Sequence, residues 1–205
     1  MAKKQVVLIR HGQIPGNVEK RYIGCRTDES LTEHGIEEIR ARRAEAGKLL
    51  SGSVVRICCS PMKRAVETVY YLFDEKAPTI LTDLREMDFG NFEGKNYEDL
   101  SGDKDYQSWI DSGGTKDFPG GEKRDAFIHR SMQGFRAALG DIEISERVII
   151  LCHGGTIMAI MSALTGKDTY DFMVGNLEGY ILDLEMNDEG IHVISYNRLV
   201  FGRSA

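Results

Sequence analysis

The sequence predicts an α/β fold, a three-layer α/β/α sandwich around a mostly parallel sheet, in one domain with an irregular lid insertion. Three observations carry this. Strand-like and helix-like stretches alternate along the 205 residues, the pattern of a sheet flanked by helices. The runs Val6-Val7-Leu8-Ile9 and Val148-Ile149-Ile150-Leu151 are apolar without alternation, as in strands buried on both faces. Residues 86–121 break the rhythm with glycines, acidic residues and the only tryptophan, Trp109. A long irregular insertion in a compact domain is usually a lid or binding loop.

Strands are expected at residues 5–9, 54–59, 147–152, 180–185 and 191–196. The last two, joined by Met186-Asn187-Asp188-Glu189-Gly190, read as a hairpin at a sheet edge. A helix is expected over residues 32–50, although Arg40 to Arg43 make its middle polar. Met62, Ala65, Val66, Val69 and Leu72 keep one apolar face after Pro61, which suits the first turn of a helix. Ile128, Met132, Phe135 and Leu139 do the same up to Gly140. Ile157, Ile160, Met161 and Leu164 form another such face, stopped near Gly166.

With 41% hydrophobic and 28% charged residues the composition is that of a globular chain. A net charge of −6 gives no reason to expect nucleic acid. The N-terminal apolar run is too short for a signal-peptide core, and no later run approaches the ~20 residues of a membrane span. Cys25, Cys58, Cys59 and Cys152 lack metal-ligand spacing and read as reduced thiols of a cytoplasmic protein. Chain length and composition leave a homo-oligomer open.

The chemistry gathers at strand ends, where ligands of open α/β sheets collect. Arg10-His11-Gly12 follows the first strand. Cys152-His153-Gly154-Gly155-Thr156 follows another and opens a helix whose free amides suit an anion. Ser60-Pro61-Met62-Lys63-Arg64 repeats the strand-to-helix arrangement. An arginine fork matches two phosphate oxygens at once. A neutral imidazole can attack phosphorus, and cationic neighbours keep it neutral and hold the phosphate in line. Glu86 is the candidate proton donor to the leaving oxygen. No Walker-type lysine loop or carboxylate cluster for magnesium is present, so neither metal nor cofactor is expected. Each feature also has an ordinary explanation: a polar strand end, a turn glycine, a solvated helix charge, or a local Arg85–Glu86 pair. Their joint occurrence in this order carries the argument.

The arrangement resembles the histidine phosphatase superfamily, the phosphoglycerate-mutase-like fold, over nearly the whole chain. The matching blocks are Arg10-His11-Gly12 with Asn17, Arg21-Tyr22-Ile23-Gly24 with Asp28 and Leu31-Thr32-Glu33-His34-Gly35, and Ser60 to Thr68. Leu84 to Gly94, Pro119-Gly120-Gly121-Glu122 and His153-Gly154-Gly155-Thr156 complete them. The resemblance implies metal-independent chemistry with His11 as nucleophile and Glu86 as the acid that later activates water. Arg10, Arg64 and His153, the last protonated or donating, would form the phosphate pocket. Asn17, Gly24 and the amide of Gly154 or Gly155 would assist in binding a small phosphorylated metabolite.

The sequence departs from the family pattern at Ile14, Ser30, Phe92 and Lys123. Ile14 brings no hydroxyl to the phosphate; Ser30 and Phe92 read as structural changes. Lys123 and Arg124 stand either at the pocket rim, where they would favour a more anionic substrate, or on the surface as solvated charges, the second reading being slightly preferred. Phe89 replaces the tyrosine of glycolytic mutases. Glu98, Asp99, Asp103, Asp105 and Asp111 make the insertion acidic where those mutases are basic. The blocks resemble the phosphatase branch that includes α-ribazole phosphatases, which implies hydrolysis. A cofactor-dependent phosphoglycerate mutase is the alternative, and a phosphate-binding pseudophosphatase the non-enzymatic one, although a pure binder has no need of Glu86.

Overall fold

The computed structural model describes residues 2–51, 55–140, 147–187 and 190–202. Its strands are β1 (Ala2–Arg10), β2 (Val55–Cys59), β3 (Thr79–Ile80), β4 (Arg147–Cys152), β5 (Glu178–Asn187) and β6 (Gly190–Val200). Its helices are α1 (Pro15–Val18), α2 (Glu33–Gly47), α3 (Lys63–Leu72), α4 (Lys104–Asp111), α5 (Arg124–Leu139) and α6 (Gly154–Thr165). The sheet order is β3-β2-β4-β1-β5-β6. β3, β2, β4 and β1 are mutually parallel, and β5 and β6 form the antiparallel edge hairpin. This is the expected mixed, mostly parallel α/β sheet. Val54 and the turn residues Asp188 and Glu189 lie outside the described residues.

Successive side chains of a strand point to opposite faces, so an unbroken apolar strand feeds two cores. Val6, Leu8, Val148 and Ile150 pack with Phe135 and Leu139 of α5 and Ile157 and Ile160 of α6. Val7, Ile9, Ile149 and Leu151 face the other way, against Ile39 of α2 and Val69 and Leu72 of α3. The polar middle of α2 is tolerated because only Gly35, Ile39 and Ala46 are buried along it. Thr32 caps that helix by accepting from the Gly35 amide at 2.9 Å.

Two local expectations shift. Met62, rather than a residue of the first turn, caps α3, so Pro61 stands just before the helix. β3 was not anticipated, since two residues are too few to show a period.

Residues 86–121 hold a short 3₁₀ turn at Gly90–Phe92 and the eight-residue α4. Their aromatic side chains form a third cluster with Tyr22, in which Tyr22, Phe89, Phe92, Trp109 and Phe118 meet edge to face or tilted. The ends of the segment are fastened together. The Asn91 amide donates to Pro119 O at 2.8 Å and the Glu122 amide to Asp88 O at 3.0 Å. Gly90 permits this approach: its φ is 56°, and a Cβ there would stand 2.2 Å from Pro119 O.

Candidate active site

Strand register builds the site. Arg10 pairs with Cys152 across β1–β4, and Cys59 with Leu151 across β2–β4. The next residues, His11, His153 and Ser60, therefore leave three adjacent strands at one level. The His11 amide still donates to Cys152 O at 3.1 Å, and the Ser60 amide to Leu151 O at 3.0 Å. The imidazoles of His11 and His153 meet edge to face, 5.2 Å between centroids. Arg10, His11, Arg64, Glu86 and His153 thus come together as expected, with all but Arg10 buried.

His11 Nδ1 lies 2.7 Å from Gly12 O. A carbonyl only accepts, so Nδ1 carries the proton and Nε2 keeps its lone pair. Burial pushes this imidazole well below the usual 6.5, and the guanidiniums of Arg10 and Arg64 push the same way. Gly12 is held in turn, its amide donating to Thr68 Oγ1 at 2.9 Å.

Arg64 is fully buried and extensively fixed. It donates through Nη1 to Thr27 O at 2.9 Å, through Nη2 to Gly24 O at 3.0 Å, and through Nε to His153 Nδ1 at 3.2 Å. The last bond makes His153 Nδ1 an acceptor, so its Nε2–H donates to Ser60 Oγ at 2.7 Å. Burial and then Arg64 hold His153 well below 6.5. Of the two forms expected, the neutral, donating ring fits these partners.

Arg10 donates through Nη1 to Val174 O at 2.7 Å. Its buried Nε has no hydrogen-bond partner among the described residues. A buried guanidinium N–H without an acceptor is costly and suits an anionic ligand. Gly154 stands beside it, since a Cβ there would lie 3.5 Å from Arg10 Nε.

Glu86 accepts from the Met87 amide at 2.9 Å and the Gly155 amide at 3.0 Å. Burial raises its pKa above 4.5, outweighing these two bonds and the pull of Arg64 and Arg10. The Gly155 amide is therefore spent on the carboxylate, so of the two expected donors it is the Gly154 amide that has no hydrogen bond among the described residues. A Cβ on Gly155 would stand 2.5 Å from Glu86 Oε1. Gly155→Ala is accordingly expected to lower kcat about 100-fold by displacing Glu86. Its Tm should hold or rise, because alanine favours the helix. Full activity in steady-state kinetics would count against this placement of Glu86.

Asn17 and Gly24 join the site less directly. Asn17 Oδ1 accepts from the Ile14 amide at 3.3 Å and from Asn176 Nδ2 at 3.0 Å, which turns its own NH₂ the other way. The Gly24 amide donates to Glu93 Oε1 at 2.8 Å and its carbonyl serves Arg64. Gly24 therefore stands as a joint in the framework rather than an open donor. Ile14 is core, 1% exposed, so its missing hydroxyl is no gap in the pocket.

Ser60, Asn176 and Arg130 were not singled out from sequence. Asn176 Nδ2 also donates to His11 O at 2.9 Å. Arg130 grips Glu122 through Nε at 2.9 Å and Nη2 at 2.7 Å. Its Nη1 donates to Asp83 O and Arg85 O at 2.8 and 2.9 Å, and Nη2 reaches Glu86 O at 3.4 Å. Only the Ser60-Pro61 and Gly-Gly-Glu122 blocks hinted at any of this.

Met87 and Gly155, whose amides hold Glu86, also line a neighbouring cavity of about 240 Å³, walled further by the aromatic cluster and by Met158 and Ala159 of α6. Two expectations about it need correction. Arg124 lines this cavity instead of lying on the outer surface, while Lys123 is exposed elsewhere. Glu98, Asp99, Asp103, Asp105 and Asp111 are all exposed and none lines it. The acidity of the insertion faces solvent, so it says nothing about which acceptor the site admits.

All four cysteines are free, and Cys58, Cys59 and Cys152 are buried. Among the described residues no helix is long and apolar enough to cross a membrane.

Residues 6–198 match the model of the histidine phosphatase superfamily, branch 1. A protein of Hydrogenobacter thermophilus named "Putative phosphoserine phosphatase 2" is 30% identical, with 98% of each chain covered. A 2,3-bisphosphoglycerate-dependent phosphoglycerate mutase of Methylobacterium sp. is 32% identical over 82% of this chain and 83% of its own. The crystal structure of the α-ribazole phosphatase from Shigella flexneri has the same fold, with a TM-score of 0.76 at 24% identity, covering 98% of this chain and all of that one. With its family model matched from β1 into β6, the chain belongs to the histidine phosphatase superfamily.

Proposed function

We propose that the protein is a cytoplasmic, metal-independent phosphomonoester hydrolase that forms a phosphohistidine on His11. The observation that carries this reading is the His11 ring, its Nδ1 proton bound to Gly12 O and its Nε2 lone pair left for phosphorus, beside the buried Arg64 and the half-buried Arg10. Nε2 attacks, the P–O bond breaks, and Glu86 protonates the departing alkoxide. Glu86, now a carboxylate, takes a proton from water, which attacks phosphorus and releases inorganic phosphate from His11. Arg10, Arg64 and the Gly154 amide carry the charge of the transferring phosphoryl group, and His153, accepting from Arg64 Nε, orients that guanidinium.

A hydrolase is favoured over a mutase by the apolar lining beside Glu86, which suits a bulky alcohol better than glycerate. α-Ribazole 5′-phosphate, with its aromatic base, is one such ester. The test is hydrolysis of p-nitrophenyl phosphate in EDTA together with rapid quenching. Turnover with acid-labile, base-stable phosphate on His11 is expected. Absence of turnover overturns the hydrolase. Interconversion of 2- and 3-phosphoglycerate stimulated by 2,3-bisphosphoglycerate would replace it with the mutase.

The first step needs His11 neutral and Glu86 protonated. Burial raises the Glu86 pKa and lowers that of His11, and each shift favours the protonation state this step needs. With an alkyl phosphate, kcat/KM is expected to fall as pH rises through the raised Glu86 pKa, and again as pH falls through the lowered His11 pKa. A flat profile would remove Glu86 from the acid role.

A further inference from the structure

The cavity beyond Glu86 combines two features that a simple phosphate pocket does not need. Its walls include Tyr22, Phe89, Trp109, Phe118, Phe127 and Met158. Its charged lining residues are Lys116 and Arg124, both cationic, with no carboxylate among the lining. Arg124 Nη2 donates to Thr169 Oγ1 at 2.7 Å, and Lys116 Nζ to Ser108 Oγ at 2.6 Å. Neutral hydroxyls orient these cations, and neither makes an ion pair among the described residues. This happens in a chain of net charge −6, where carboxylates outnumber possible partners. Thr169 is held to α6 through Ser162 Oγ at 3.4 Å, so Arg124 is braced against the helix that also carries Gly155.

Apolar walls reward burial of hydrocarbon at about 25 cal/mol per Å². They also lower the local dielectric, which strengthens attraction between an unpaired guanidinium and an anion. A ligand satisfies both demands only if its carbon skeleton is apolar and it carries a second negative group. Building on the phosphatase reading, we infer that the site selects phosphomonoesters of aryl or arylalkyl alcohols that bear a carboxylate, with Arg124 as the specificity-determining residue and Lys116 assisting. The phosphate is bound at His11, the aromatic skeleton fills the cavity, and the carboxylate meets Arg124.

The test compares phenyl phosphate with 3-(4-phosphonooxyphenyl)propanoate, and both with the phosphate ester of tyramine, which carries an ammonium instead. In the wild type, kcat/KM for the carboxylate ester is expected to exceed that for phenyl phosphate by about 10-fold or more, and the tyramine ester to be poorest. In Arg124→Met the carboxylate-to-neutral ratio should collapse toward one, and in Arg124→Glu the order of carboxylate and ammonium esters should invert. Equal use of all three esters by the wild type, or an unchanged ratio in Arg124→Met, overturns the inference.

Dissociation constants of non-hydrolysable benzylphosphonate, with and without a para carboxyethyl group, separate this idea from the hydrolase reading. A binding preference without turnover of any ester sinks the hydrolase alone. Turnover without preference in either measurement sinks the selectivity alone.

Discussion

His11→Asn is expected to abolish phosphoenzyme formation and lower turnover by about 10⁴-fold or more, the scale of losing a covalent nucleophile. The substitution is chosen for what it keeps. An asparagine amide can still donate to Gly12 O, where His11 Nδ1 now donates at 2.7 Å. Asparagine is neutral, and burial, followed by Arg10 and Arg64, already discourages a charged imidazole at this place. No charge is orphaned, so the melting temperature should move little while activity vanishes. Phosphate and vanadate should still bind, since the arginines, His153 and the Gly154 amide remain. Turnover within tenfold of wild type, or undiminished acid-labile label on the protein, would place the nucleophile elsewhere.

How much of this could be read in advance follows a physical line. Arg10, His11, Arg64 and His153 were legible because each stands at the end of a strongly apolar strand or in the turn that follows, and parallel register delivers such ends to one edge. The core was legible for the same reason, as both faces of β1 and β4 are written in unbroken apolar runs. Ser60, Asn176 and Arg130 were not, because their value lies mostly in partners far away in sequence. Asn176 touches His11 O and Asn17 across more than 150 positions of chain, and no local pattern encodes that meeting. The acidity of residues 98–111 misled for a related reason. Summed charge tells how a segment is solvated, not which way its side chains face, and here they face water. Arg124 was misplaced by the converse error. A single charge at a helix start reads as surface until Thr169 and the aromatic wall are known to stand beside it.

Arg130 offers the second large effect, through stability and catalysis together. Its five N–H groups meet five acceptors: both Glu122 oxygens and the carbonyls of Asp83, Arg85 and Glu86. Both side chains of the ion pair are largely buried, 9% and 16% exposed. Arg130→Met keeps much of the volume but strands the Glu122 carboxylate and frees three carbonyls. Removing one partner of such a pair costs about 3–5 kcal/mol. A double variant, Arg130→Met with Glu122→Gln, removes the stranded charge and should regain part of that loss in urea unfolding. It should not regain activity, because the Glu86 backbone still lacks its clamp. The kinetic signature distinguishes displacement of the acid from general loosening. p-Nitrophenolate leaves with little help from a proton, whereas an alkoxide depends on Glu86. At a temperature where the double variant stays folded, kcat on an alkyl phosphate is therefore expected to drop about 100-fold, and on p-nitrophenyl phosphate much less. Equal losses on both esters would reduce Arg130 to a brace for the fold. A selective loss would identify it as the residue that holds Glu86 in position to protonate the leaving group.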